Sequence, residues 1–183
     1  MNDLLHLSPQ LDRTNRVCRA IIETPKGCRN KFRYDSQARL FMLGGLLPEG
    51  MMFPFDFGFI PSTLGADGDP LDIMVLLDAP AHVGCLLEVR LIGIIMATQT
   101  EHGTTKRNDR LLGVAIHSYD HMRCETITDL PSNLLSQVEE FFVSYNKQRK
   151  KKFQIKDVGG PKKAMKFLKA GMQSFKKAQE DSK

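Results

Sequence analysis

Asp67-Gly68-Asp69-Pro70-Leu71-Asp72 runs directly into the apolar segment Ile73-Met74-Val75-Leu76-Leu77. Carboxylates at i, i+2 and i+5, on a loop that becomes a buried strand, put Asp67 and Asp69 at the loop tip and bring Asp72 in from the strand mouth. Three like charges so close repel, so a positive species belongs among them. Hard oxygen ligands of this kind suit Mg²⁺ shared with a phosphate group. Two other readings compete. Asp-Gly and Asp-Pro are ordinary turn chemistry, which would make the run a polar cap on a strand. An EF-hand loop fails, because it needs Gly at position 6 and Glu at position 12, where this chain has Asp72 and Asp78.

Upstream, residues 17–24 read as a strand ended by Pro25, and 31–35 with 38–43 read as a hairpin that Gly44-Gly45 ends. Phe53, Phe55, Phe57 and Phe59 then alternate with Pro54, Asp56 and Gly58, which puts the rings on one face, mostly as core. Pro54 argues for an edge or bulged strand there, and Gly58 for a close approach to the backbone. Downstream come a long strand over 84–97 that Gly93 bends, a polar segment over 98–108 and a strand over 110–116. From Pro131 the period changes: Leu134, Leu135, Val138, Phe141, Phe142 and Tyr145 mark one face of a helix. A second helix opens at Gly160-Pro161 and repeats Ala164, Phe167, Leu168, Met172 and Phe175. This pattern predicts a mainly β fold with flanking helices, a barrel of about five strands of the oligonucleotide-binding type.

A chain of 183 residues, 42% hydrophobic and without a Pro/Gly/Ser-rich linker, supports a single domain over 1–183. No apolar run reaches the ~18 residues of a membrane span, and Met1-Asn2-Asp3-Leu4-Leu5-His6 lacks a signal-peptide pattern, so a soluble cytoplasmic protein with no membrane partner is expected. Cys18, Cys28, Cys85 and Cys124 show no Cys-x-x-Cys spacing, which points to reduced thiols. The net charge of +5 is unevenly spread: residues 147–183 hold 13 of the 26 Lys and Arg but 3 of the 21 acids. That basic tail reads as a solvated helix face, and nucleic acid ranks last as a partner.

The Asp67–Asp72 run, preceded by Phe53-Pro-Phe-Asp-Phe-Gly-Phe-Ile60, resembles the soluble family I inorganic pyrophosphatases, whose signature is Asp-x-Asp-Pro-hydrophobic-Asp. Ile22-Glu-Thr-Pro25, Lys31 and Phe141-Phe-x-x-Tyr145 extend the resemblance over roughly 17–170. It implies a five-stranded barrel with flanking helices, Mg²⁺ as cofactor and hydrolysis of inorganic diphosphate to two phosphates. It also implies roles: Asp67 and Asp72 as metal ligands, Asp69 as general base on the attacking water, and Glu23 as a carboxylate near the metals. Lys31 and Tyr145 match phosphate-binding residues. A homo-oligomer is expected as well.

The departures fall in the same chemistry. Arg33 stands where the family has a glutamate facing a further metal, Gly45 where it has a phosphate-binding arginine, and Phe53 and Phe57 where it usually has tyrosines. Two metal-binding aspartates fall near Gln99 and at Asn108, with Glu101 and Asp109 as candidates to compensate. Asn108 keeps an oxygen ligand without the charge. Arg110 replaces a lysine, Asn146 stands where the family has a lysine after its tyrosine, and Lys147 follows one place on. Arg33 and Arg110 are therefore read as substrate-binding cations that supply fixed charge where metal is lost. A relative that binds diphosphate or a nucleotide without catalysis is the alternative, and a nucleic-acid-binding barrel comes third.

Overall fold

The computed structural model describes residues 3–181, so Met1 and Asn2 of the N-terminal reading and Lys183 of the basic tail lie outside it. Its strands are β1 (Val17–Thr24), β2 (Asn30–Asp35), β3 (Leu40–Leu46), β4 (Asp56–Ile60), β5 (Leu71–Leu76), β6 (Leu86–Glu101), β7 (Thr104–Arg107), β8 (Arg110–Ala115) and β9 (Lys152–Gly159). Helix α1 spans Ser132–Gln148 and α2 spans Pro161–Glu180.

β1, β4, β5, β8 and β6 hydrogen-bond in that order, and β6 returns to β1, which closes a five-stranded ring. The β5–β8 pair is parallel and the other four are antiparallel. Closure removes the exposed edges an open sheet would leave. β6 makes it possible through its length: Leu86–Arg90 pairs with β1, its middle with β8, and Ile94–Thr100 with β9. The register slips between Leu91 and Gly93, so the bend expected at Gly93 is a bulge.

The aromatic alternation is core as expected: Phe53, Phe55, Phe57 and Phe59 are all buried. Phe53, Phe55 and Phe57 pack with Val138 and Phe142 of α1, while a second cluster joins Ile22, Leu71 and Ile73 to Ala164, Met165 and Leu168 of α2. Gly58 is required by its neighbour, since a Cβ there would lie 1.9 Å from the Ile21 carbonyl oxygen.

Four local expectations are corrected. Pro54 precedes β4, which is flanked by β1 and β5 and is not an edge, and the bulge in its ladder lies on β1, between Ile22 and Thr24. Gly44 and Gly45 lie inside β3, paired against β2. The polar segment 98–108 is the end of β6 and the strand β7, joined by a turn at His102 (φ 48°) and Gly103 (φ 79°). β9 has no counterpart among the predicted strands; its run Lys152–Gly159 pairs with β6 and buries Phe153, with Ile155 and Val158 packed against the same core.

Candidate functional site

The carboxylate loop is anchored at both ends before it presents any charge. Thr63 Oγ1 donates to the Ile60 carbonyl at 2.5 Å and accepts from the Leu71 amide at 3.0 Å, while the Leu64 amide donates to the Gly171 carbonyl of α2 at 3.0 Å. Within the loop, the Gly65 amide donates to the Asp69 carbonyl at 2.7 Å and the Asp69 amide to Asp67 Oδ1 at 3.3 Å. These bonds fix a turn that holds Asp67 and Asp69 toward one cavity, with Asp72 following from β5.

That cavity has a volume of about 570 Å³ and gathers the residues read from the sequence as catalytic, metal-binding or substrate-binding: Glu23 from β1, Lys31 and Arg33 from β2, Asp67, Asp69 and Asp72, Asn108 just before β8, Arg110 at its start, and Tyr145 from α1. Arg110 is the most enclosed of the cations. Its guanidinium lies between the rings of Phe57 (5.6 Å) and Phe142 (5.5 Å) and meets Asp72 Oδ2 at 2.5 Å. Its Nη1 also donates to Asn108 Oδ1. Buried and aromatic-flanked, this cation has lost water on both faces, so Asp72 is its strongest partner. Lys31 Nζ sits over Phe57 at 5.5 Å and Tyr145 at 5.6 Å, which holds a flexible chain over the cavity.

The carboxylates carry the marks of crowding. Burial pushes Glu23 up to about 7, with Asp72 and Asp69 adding to the rise, against the Tyr34 amide, which donates to Glu23 Oε1 at 2.7 Å, and Lys31. Burial also raises Asp69, helped by Asp67, and raises Asp72 against the pull of Arg110. A carboxyl raised this way gains most from a hard cation among the oxygens. Among the described residues, no three His, Cys, Asp or Glu side chains form a ready-made ligand cage. The donor set nevertheless fits Mg²⁺, which uses one or two protein carboxylates and takes its other ligands from water and phosphate.

The sequence reading missed Arg149 and Lys151, which also line the cavity. Arg149 lies one helical turn beyond Tyr145, stacks over its ring at 5.5 Å and donates to its hydroxyl. The i, i+4 spacing was a signal for that contact. Asn146 is buried and its Nδ2 donates to the Phe142 carbonyl at 2.8 Å, so its amide is spent on the helix. Neither compensating candidate joins the cavity lining. Asp109 accepts from the Ala97 amide at 2.9 Å and from Arg107 at 2.6 Å, and Glu101 pairs with Lys151 at 2.9 Å. At the two other departures, Asn108 Nδ2 donates to Gln99 Oε1 at 2.9 Å, a neutral pair.

The family pattern described as inorganic pyrophosphatase matches residues 20–176. The chain belongs to the inorganic pyrophosphatase family. An inorganic pyrophosphatase of Geobacillus stearothermophilus is 32% identical over 154 residues, 84% of this chain and 91% of the relative. One of Synechocystis sp. is 38% identical over 135 residues, 74% of this chain and 78% of the relative. The crystal structure of the inorganic pyrophosphatase from Thermus thermophilus aligns with a TM-score of 0.87 at 29% identity, over 96% of this chain and 99% of that one. The barrel expected from the family is thus the fold of this member, and its departures at Arg33, Asn108, Arg110 and Asn146 lie on or beside one cavity.

Proposed function

We propose that this chain, acting as one domain over 1–183, hydrolyses inorganic diphosphate to two phosphates with Mg²⁺. The reaction comes with the family; the assignment of roles rests on the convergence of four carboxylates and five cations on one 570 Å³ cavity. Asp67 and Asp72 would hold the metal, with Glu23 and the amide oxygen of Asn108 as further oxygen donors. Mg²⁺ held there would supply acidification of water near neutral pH and charge to offset that of the leaving phosphate.

The chain's own residues do the rest. Asp69 takes the proton of the attacking water as the new O–P bond forms and the bridging P–O bond breaks, and burial beside Asp67 makes its carboxylate a stronger base than a solvated one. Lys31, Arg33 and Tyr145 hold the phosphate oxygens, and Arg110 supplies fixed charge beside Asp72. Enclosure between two rings keeps that charge unscreened where the leaving group develops its own.

A non-catalytic diphosphate binder is favoured by one observation: the neutral Asn108–Gln99 pair, which removes carboxylate charge from the cavity. Phosphate release from diphosphate with Mg²⁺, for the wild type beside Asp67→Asn, Asp69→Asn and Asp72→Asn, separates the two. The hydrolase requires Asp69→Asn to lower the maximal rate at saturating Mg²⁺, and the other two to raise the Mg²⁺ demand. A wild type without Mg²⁺-dependent release leaves the binder standing.

A cytoplasmic homo-oligomer completes the proposal. It is supported by the exposed apolar side chains of Leu40, Leu43 and Leu46 on β3, and sedimentation of the full chain tests it.

A further inference from the structure

A second groove, of about 630 Å³, lies between α2 and the loop that precedes β1, and it shares no lining residue with the catalytic cavity. Arg13 and Arg16 form one wall; Lys162, Lys166 and Lys169 form the other, and among the described residues no carboxylate lines it. The lysines stand at i, i+4 and i+7, which puts them in one stripe about 10 Å long at a rise of about 1.5 Å per residue.

On α2, Lys163 pairs with Asp157 at 2.7 Å and Lys176 with Glu180 at 3.9 Å, while Lys177, outside the groove, has no carboxylate within ion-pair distance among the described residues. Among the described residues, Arg13, Lys162, Lys166 and Lys169 have no carboxylate within ion-pair distance. Arg16 is balanced by Glu125. The opposite wall is also held in place: the Asp12 carboxylate accepts from the Thr14 amide at 2.9 Å, the Asn15 amide at 3.1 Å and Asn15 Nδ2 at 2.8 Å. Unpaired like charges from segments about 150 residues apart are thus set facing each other, an arrangement that a multivalent anion relieves.

We propose that this groove binds a linear inorganic polyphosphate chain. Its floor is Met165 and Ala170 and its lining has no aromatic ring. Single-stranded nucleic acid gains much of its affinity by stacking bases on aromatic rings, and nothing here offers that. A polyphosphate asks only for closely spaced cations along one line, because its charges follow one another with no sugar or base between.

The test is binding of fluorescently labelled polyphosphate to the full-length protein, in buffer containing EDTA, over a salt series. Lys166→Glu/Lys169→Glu is compared with Lys176→Glu/Lys177→Glu, which makes the same charge change outside the groove. Arg13→Glu probes the other wall, should the first pair disturb α2. The groove variants should weaken binding about tenfold and lower the slope of log affinity against log salt by about 0.7 per cation removed. The control pair should stay within about twofold at about 0.15 M salt and above, where the Debye length of about 8 Å is shorter than the roughly 10 Å of helix between Lys169 and Lys176. Lys31→Ala should bind polyphosphate as the wild type does, and the groove variants should hydrolyse diphosphate normally. Equal losses in the control pair, loss of binding in Lys31→Ala, absence of binding, or displacement by oligonucleotides at equal phosphate concentration would each overturn the proposal.

Discussion

Glu23 offers a test of the crowded carboxylates that needs no activity. Its carboxyl is raised from 4.5 to about 7, first by burial and then by Asp72 and Asp69. Between those values the folded chain keeps a proton that the unfolded chain has released. The unfolded state then binds fewer protons, so stability falls as pH rises from about 4.5 to about 7 and is level on either side. At about 1.4 kcal/mol per pH unit, the ceiling for this one group is about 3 kcal/mol. Because Glu23 is only half-buried, water reaches the carboxyl and about 2 kcal/mol is the expected effect. Glu23→Gln keeps an oxygen to accept from the Tyr34 amide and cannot ionise. Urea unfolding of both proteins in EDTA, at about pH 4 and about pH 8, should show the variant gaining about 2 kcal/mol on the wild type across that interval. Mg²⁺ added at the higher pH should shrink the gap, because a cation among the oxygens favours the ionised form. A gap that stays constant with pH would refute the crowding argument.

Arg33 lays its stem over Gly44, where a Cβ would lie 3.2 Å from Arg33 Cδ. Arg33→Ala should therefore weaken diphosphate binding about tenfold, as expected for a charge-assisted hydrogen bond; Gly44→Val should mimic it without adding to it, and Arg33→Glu should need more Mg²⁺. Unchanged diphosphate affinity and Mg²⁺ demand in all three would make Arg33 a surface charge. Arg149→Ala should raise KM for diphosphate several-fold with kcat nearly constant, the pattern of lost uniform binding; kinetics identical to wild type would put its guanidinium outside the working site. Gly58→Ala should cost about 3 kcal/mol in chemical denaturation, because β1 and β4 must separate; a loss under about 0.5 kcal/mol would mean that the strands shift freely.

The sequence alone was enough for the features whose cause is local. Charge spacing made Asp67, Asp69 and Asp72 one group, a period of two made the phenylalanines core, and a period near 3.6 with Pro161 in the first turn located both helices. Departures from the family were legible one residue at a time for the same reason: the chemistry of Arg33 or Asn108 goes with the residue itself.

What the tertiary structure decided depends on partners distant in the chain. β7 is a polar strand and β9 a short apolar alternation behind a basic run, and both exist because the far half of β6 offers each an edge. β6 closes on β1 across some 70 residues in the register that buries Cys18, Ala20, Ile21 and Val89, a non-local choice no window of sequence contains. Asp109 looked like a spare ligand until the fold aimed it at the Ala97 amide and Arg107. Arg149 was an exposed helix end until the barrel brought Lys31 over the same tyrosine. Arg13 and Lys166 face one groove only because α2 packs beside the loop that opens β1. Residue type determines what a side chain can do, and packing of the apolar faces, which gains free energy regardless of sequence distance, determines which side chains meet.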